Sequence, residues 1–162
     1  MKVGTKSLLF GTHQFIIHPI MVLYSWAKLY GIPWDPRIWV AAIIHDWGYW
    51  GRPNMDGIEG KQHPYLGADL MGLMFGRDWF WFTLLHSKYM WKWYDKEPSK
   101  LYFADKMVLP NTPKWFYLFW ARLTGELKEY MQGKYDSESE WFDATAKRLT
   151  EIVNEGRSKN KN

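Results

Sequence analysis

His18, His45, Asp46, His63, His86 and Asp105 follow one another along the chain as a series of imidazoles and carboxylates. Neutral imidazole and carboxylate suit Mn, Fe, Co, Ni or Zn, and a carboxylate between two histidine-bearing sites can bridge ions about 3.5 to 4 Å apart. The six side chains therefore suffice for two divalent transition-metal ions and point to a metal-dependent hydrolase. Each has an ordinary alternative. A single histidine on an apolar face, such as His86 after Leu84 and Leu85, is usually a hydrogen-bonded core residue. His18 and His63, each followed by proline, can cap helices, and Asp105 can pair with a nearby lysine. The joint reading is favoured because burying so many polar groups without a shared partner is costly.

The elements that must position these residues show themselves by their punctuation. Asp35-Pro36 opens a helix running to about Trp47, and Pro64 opens another that ends at Gly76. Asp78 caps a third, from Trp79 to about Tyr89. Ser99 caps a fourth, through Ala104 to Val108, and Thr112-Pro113 begins a fifth. Ser137 with Glu140 forms a capping box for a last helix to about Glu155. Near the front, Pro19 opens a helix closed by Gly31. No stretch alternates apolar and polar residues between turn signals, so the fold class expected is all-α, an irregular bundle. The long connection from Trp47 to Gln62 begins and ends beside proposed ligands and is the candidate lid.

Composition narrows the chemistry. The chain has 162 residues, 47% of them hydrophobic, which suits one domain with one sizeable core. That domain is expected over residues 1–155, followed by a disordered basic tail over 156–162. There is no cysteine, which excludes disulfides, zinc fingers, iron-sulfur clusters and thiolate nucleophiles. The uncharged stretch from Ser7 to Ala27 contains His13, Gln14, His18 and Pro19, so it reads as two core segments, not a transmembrane segment. No leader pattern opens the chain, and a cytoplasmic location is expected. The net charge of +4 favours a small anionic, phosphorylated substrate. No compact basic patch marks a dedicated nucleic-acid surface. The segment from Lys114 to Arg122 fits an inward-facing helix, a membrane surface or a subunit interface, which leaves a homo-oligomer open.

The run His18-Pro19-Ile20-Met21-Val22, followed by Ala41-Ala42-Ile43-Ile44-His45-Asp46-Trp47-Gly48, resembles the start of an HD-domain phosphohydrolase. His63-Pro64-Tyr65-Leu66-Gly67, His86 and Ala104-Asp105-Lys106 resemble the later motifs of the dinuclear branch of that superfamily. The likeness spans about Phe15 to Met107 and leaves the last third unmatched. It implies an HD-type bundle in which His18, His45, Asp46 and Asp105 hold one metal, while His63, His86 and the shared Asp46 hold the other. A bridging water or hydroxide would be the nucleophile, which makes Asp46, His63 and His86 the catalytic residues. His13 matches no family position and is read as structural or supporting.

One departure concerns substrate binding. Many family members carry a lysine soon after the His-Asp pair, whereas here Tyr49-Trp50-Gly51-Arg52-Pro53 follows. Arg52 is the candidate phosphate clamp, since its planar fork suits two oxygens. Lys61, Lys88 and Lys106 are further candidates, and Asn54 is added from the same loop. Trp50, with Trp47 and Tyr49, can stack on a nucleobase or simply pack the loop. The expected activity is hydrolysis of a phosphate ester of a nucleotide or related small metabolite. The same ligand set also suits a di-iron oxygenase cleaving C-C or C-P bonds, and a metal-bound sensing module without turnover is the third reading.

Overall fold

Asp35 accepts a hydrogen bond from the Arg37 backbone N–H at 3.0 Å, Ser99 from Tyr102 N–H at 3.4 Å, and Ser137 from Glu140 N–H at 3.1 Å. These caps satisfy donors that a helix start leaves free, each worth roughly 0.5–2 kcal/mol. They begin three of the eleven α-helices of a computed structural model that describes residues 1–159. In chain order the helices are α1 (Val3–Phe10), α2 (Ile17–Tyr30), α3 (Pro36–Ile44), α4 (Pro64–Phe75), α5 (Arg77–Leu84) and α6 (Lys88–Trp93). Then follow α7 (Lys100–Lys106), α8 (Val108–Asn111), α9 (Lys114–Thr124), α10 (Glu126–Met131) and α11 (Glu138–Lys159). The described residues contain no strand, so the fold is an all-α bundle. No described helix is long and apolar enough to cross a membrane.

Val22 and Trp26 of α2, Ala41, Ala42 and Ile44 of α3, Met71 of α4 and Leu101 and Ala104 of α7 form the principal core. A second cluster joins Leu118 and Ala121 of α9 to Leu127 of α10 and Trp141 and Phe142 of α11. Full burial of a Leu or Met side chain contributes about 1.5–3 kcal/mol. The α2–α3–α4–α7 layer is thus the firm platform on which the ligand-bearing ends sit.

Several boundaries differ from the sequence reading. The third helix starts from Gly76, whose φ of 90° turns the chain sharply after α4, and Asp78 lies inside its first turn. It stops at Leu84, and α6 begins afresh at Lys88. Helices α1, α8 and α10 were not foreseen. The last helix continues through Gly156 to Lys159, so the tail expected from Gly156 is helical over its first four residues. The cause is contact with distant parts of the chain: Val153 is buried, Gly156 leaves room for the Phe103 ring, and Arg157 Nη2 donates to the Leu29 carbonyl at 2.7 Å. Residues 160–162 lie outside the described part. In α9, Leu118, Ala121 and Thr124 face inward while Trp115, Phe119 and Leu123 are exposed.

Candidate metal centre

All six proposed ligands sit at or near helix ends. His18 lies in the first turn of α2, and Asp105 near the end of α7, which packs on α2. His45 and Asp46 directly follow α3, where the chain leaves helical spacing for a short 3₁₀ turn over Trp47–Tyr49, so adjacent side chains can converge. His63 caps α4 and His86 occupies the break between α5 and α6. Close backbone approach brings these ends together. A Cβ on Gly67 would stand 2.6 Å from the Ile44 carbonyl oxygen, so only glycine lets α4 lie so close to the end of α3.

The six residues form two groups that share Asp46. On one side, Asp46 Oδ2 lies 3.2 Å from both His18 Nε2 and His45 Nε2, and His18 Nε2 lies 3.3 Å from Asp105 Oδ1. On the other, Asp46 Oδ1 lies 3.4 Å from both His63 Nε2 and His86 Nε2. Ligands about 2.0–2.2 Å from one ion stand roughly 3 to 3.5 Å apart in tetrahedral or octahedral arrangements. Both groups have that spacing.

The histidines are oriented by a repeated device. His45 Nδ1 donates to the Ala42 carbonyl at 2.9 Å, His63 Nδ1 to Gly60 at 2.7 Å, and His86 Nδ1 to Thr83 at 2.6 Å. Each ring donates to the carbonyl three residues back, and at Gly60 and Thr83 that oxygen also accepts the histidine's own backbone N–H, at 3.0 and 3.2 Å. Because a carbonyl only accepts, Nδ1 carries the proton and Nε2 is left as the ligand atom facing the site. His18 Nδ1 and Asp46 Oδ2 are buried without a hydrogen-bond partner.

Electrostatics divides the groups. Burial lowers His45, but the Asp46 and Asp105 carboxylates outweigh it and raise the ring to about 10. At His63 burial wins, taking it to about 3, and His86 is lowered for the same reason. Burial opposes charge on both aspartates. Neighbouring His45 at Asp46, and Lys106 at Asp105, lead the interactions that hold each carboxyl well below its ordinary range. A proton on His45 therefore stands in for a cation in one group. In the other, neutral His63 and His86 and ionised Asp46 present three acceptors to one another with no proton between them. The donor set, its spacing and this unshared concentration of lone pairs all fit divalent metal.

Family models, curated proteins and solved structures gave no match to this chain. The assignment of the centre therefore stands on its geometry.

A cavity of about 590 Å³ opens on Asp46, His63 and His86, with Lys61, Lys88, Lys92 and Lys106 among its lining. Lys106 Nζ is held 2.9 Å from Asp105 Oδ2. Three proposed substrate contacts lie elsewhere. Arg52 donates through Nε to the Gly48 carbonyl at 3.1 Å, Asn54 bonds Glu59 Oε2 at 2.7 Å, and Trp50 lies against Phe15 with rings 6.4 Å apart. None of the three lines this cavity or the smaller one beside it, so they serve the 47–62 loop instead. That loop is anchored as well: Met55 is buried, its N–H donates to Glu129 Oε2 at 2.8 Å, and Gly4 N–H donates to the Arg52 carbonyl at 3.1 Å. The loop read as the candidate lid is thus tied down at these points, and its Tyr49, Met55, Asp56 and Lys61 line the cavity over the ligands.

His13, which matches no family position and is read from sequence as structural or supporting, stands beside the ligands in the fold. Its Nδ1 lies 3.3 Å from Glu126 Oε2, and its ring lies 5.1 Å from that of His18. Glu126 is fully buried and also accepts from Thr12 N–H, Thr12 Oγ1, Thr124 Oγ1 and Tyr130 OH. Tyr49 stacks on His63 at 3.9 Å, fixing that ring from the outside. The 113-residue gap between His13 and Glu126 hid their pairing; a glutamate on a helix next to Gly125 carries no local sign of burial.

Proposed function

We propose that this chain is a metal-dependent phosphohydrolase of the HD-domain type, acting on a phosphate ester of a nucleotide or related small metabolite. The observation that carries this reading is the division of Asp46, with one oxygen facing His18 and His45 and the other facing His63 and His86. In this reading His18, His45, Asp46 and Asp105 would hold one divalent transition-metal ion, and Asp46, His63 and His86 a second. Such ions lower the pKa of bound water from about 15.7 towards 7 and offset charge on phosphoryl oxygens.

The protein's own groups do the rest. The i−3 carbonyls and Tyr49 keep the imidazoles in one orientation, so no reorganisation is needed when charge develops. Lys61, Lys88 and Lys92 make the mouth of the cavity attractive to anions. Lys106, fixed on Asp105, places an ammonium at the edge of the ligand cluster, where it can meet a phosphoryl oxygen. Lysines without this neighbourhood would read as solvated surface charge; here they line the cavity that opens on the ligands.

Elemental analysis of protein purified without added metal, followed by a phosphate-release screen over nucleotides and simple esters, tests the proposal. Metal-dependent release that disappears in Asp46→Ala with the fold intact is expected. Bound iron with substrate-dependent oxygen uptake and no phosphate release would overturn it in favour of oxygenase chemistry.

A further inference from the structure

The exposed stripe of α9 has a neighbour in α2. Ser25 Oγ accepts from Asn111 Nδ2 at 2.9 Å and Lys28 Nζ donates to Asn111 Oδ1 at 3.1 Å, which ties the later turns of α2 to the residues just before α9. Thr12, ahead of α2, donates to Glu126, just beyond α9. The two helices therefore run antiparallel. Ile17 and Met21 of α2 line a narrow crevice with Phe116 and Trp120 of α9, which marks the seam between them.

On each helix the exposed apolar residues stand one position before the seam residues, about 100° round the axis. On the α2 side these are Ile16 and Ile20, continued one turn later by Tyr24; on α9 they are Trp115 and Phe119, continued by Leu123. Between antiparallel neighbours, the same rotation from a shared seam leads to the same side. The two stripes accordingly lie side by side on one face of the molecule. Trp115 is 73% exposed and Ile16 72%, although such side chains gain most from burial. A contiguous exposed apolar face of this kind marks an interaction surface.

The free charges around this face have one sign. Helix α1 packs on α9, and Lys2, Lys6 and Phe10 recur every fourth residue on the side of α1 away from its buried Gly4, Ser7 and Leu8. Lys28 follows Tyr24 by one turn and lies over its ring, 5.0 Å from the centroid. None of these three lysines pairs with a carboxylate among the described residues, and α1, α2 and α9 contain no acidic residue. Asp143 and Glu138 of α11, the acids that reach α9, are already paired with Lys114 and Arg122.

An apolar, aromatic face rimmed by unpaired cations complements a lipid surface with anionic headgroups. Apolar stripes enter the boundary between headgroups and acyl chains, tryptophan and tyrosine favour that depth, and each lysine near an anionic surface adds attraction. A second copy of this chain fits less well, because a twofold contact brings the face onto itself and sets lysine against lysine with no acid to answer it.

We propose that the α2–α9 face is a membrane-docking surface, by which the chain lies on a bilayer bearing anionic phospholipid headgroups. Docking by this face depends on α1, α2 and α9 alone and is independent of the reaction at the metal centre.

The test is flotation of the full chain across a titration of two kinds of vesicle, phosphatidylcholine alone and an equimolar mixture of phosphatidylcholine and phosphatidylserine. Binding at least tenfold stronger to the vesicles with phosphatidylserine is expected, and most of that difference is expected to vanish in molar salt. Trp115→Ser combined with Phe119→Ser should weaken binding to these vesicles tenfold or more. Lys2→Gln combined with Lys6→Gln should remove most of the preference for phosphatidylserine. Both pairs should leave circular dichroism and Tm unchanged. Leu73→Ser is the control, at a side chain 85% exposed on α4, which packs on α3 and α5, and it should bind as the wild type does. Binding to neither kind of vesicle, equal binding to both, or a loss in Leu73→Ser as large as in Trp115→Ser with Phe119→Ser would overturn membrane docking. So would a chain that sediments as a dimer until Trp115→Ser and Phe119→Ser make it a monomer, since the face would then be an interface between copies.

Discussion

His63 and His86 face each other through Nε2 atoms 3.2 Å apart, each with its Nδ1 proton committed to a backbone carbonyl. Two lone pairs at that distance repel unless a cation lies between them, and Asp46 Oδ1 adds a third acceptor at 3.4 Å from each. Because Asp46 serves both groups and His86 only one, their substitutions should differ. Elemental analysis is expected to find close to two ions per chain in the wild type, close to one in His86→Ala and close to none in Asp46→Ala. Retention of two ions by Asp46→Ala would remove the bridging role.

Ligand atoms gathered from α2, α3, α4, α7 and the α5–α6 break also make the metal a tie between elements. A ligand that binds only the folded chain stabilises it by about 2.7 kcal/mol at one hundred times its Kd. For a chain of this size, each kcal/mol moves Tm by about 2–4 °C. Chelation is therefore expected to lower Tm by roughly 5–11 °C, and Mn²⁺ or another divalent transition metal to restore it. An unchanged Tm after complete metal removal, verified by elemental analysis, would contradict this.

Much of the framework was legible because caps are local. Asp35, Ser99 and Ser137 each cap a helix as their neighbours imply. The ligand series was legible because the histidines carry their own punctuation, with prolines after His18 and His63, although the helix expected to run to about Trp47 stops at Ile44. What stayed hidden depends on distant contacts. Arg52 looked like a phosphate clamp by its place in the chain, yet its guanidinium turns to Gly48 and Gln62. Helix α10 exists because Leu127 packs into the α9–α11 cluster and Glu126 gathers donors from Thr12 and His13, more than one hundred residues away. No window of sequence contains those partners.

Gly67 shows how closely packing and site are coupled. A Cβ there would lie 2.6 Å from the Ile44 carbonyl oxygen and 2.9 Å from His45 Cα, both backbone atoms that cannot swing aside. Gly67→Ala should force α4 from the end of α3, costing on the order of 1–3 kcal/mol. The same displacement pulls His45 from His18 and should weaken metal binding tenfold or more. Gly72→Ala, on the same helix, meets only the Phe80 side chain, at 3.0 Å, and is expected to spare metal affinity. Competition with a coloured chelator measures both variants; equal loss in the two would refute the coupling.

Glu126 supplies the pH test. Its ordinary value is 4.5; burial pushes it up, but His13 and the Thr12 and Thr124 hydroxyls outweigh burial and hold it down to about 2. A carboxylate depressed by folding contributes stability that is complete above the unfolded value and fades as pH falls through the folded one. That contribution is on the order of 3 kcal/mol, present above about pH 4.5 and lost towards pH 2. Glu126→Gln removes the charge while keeping the shape. Urea titrations across this range should show the variant less stable than the wild type near pH 7 and the difference shrinking steadily below pH 4.5. Because Glu126 reaches the ligands only through His13, metal content should stay near the wild-type value. A stability difference that is constant from pH 7 to pH 2 would mean that the buried carboxyl is not ionised in the folded chain, and with it the anchoring of His13 beside the ligands would lose its electrostatic basis.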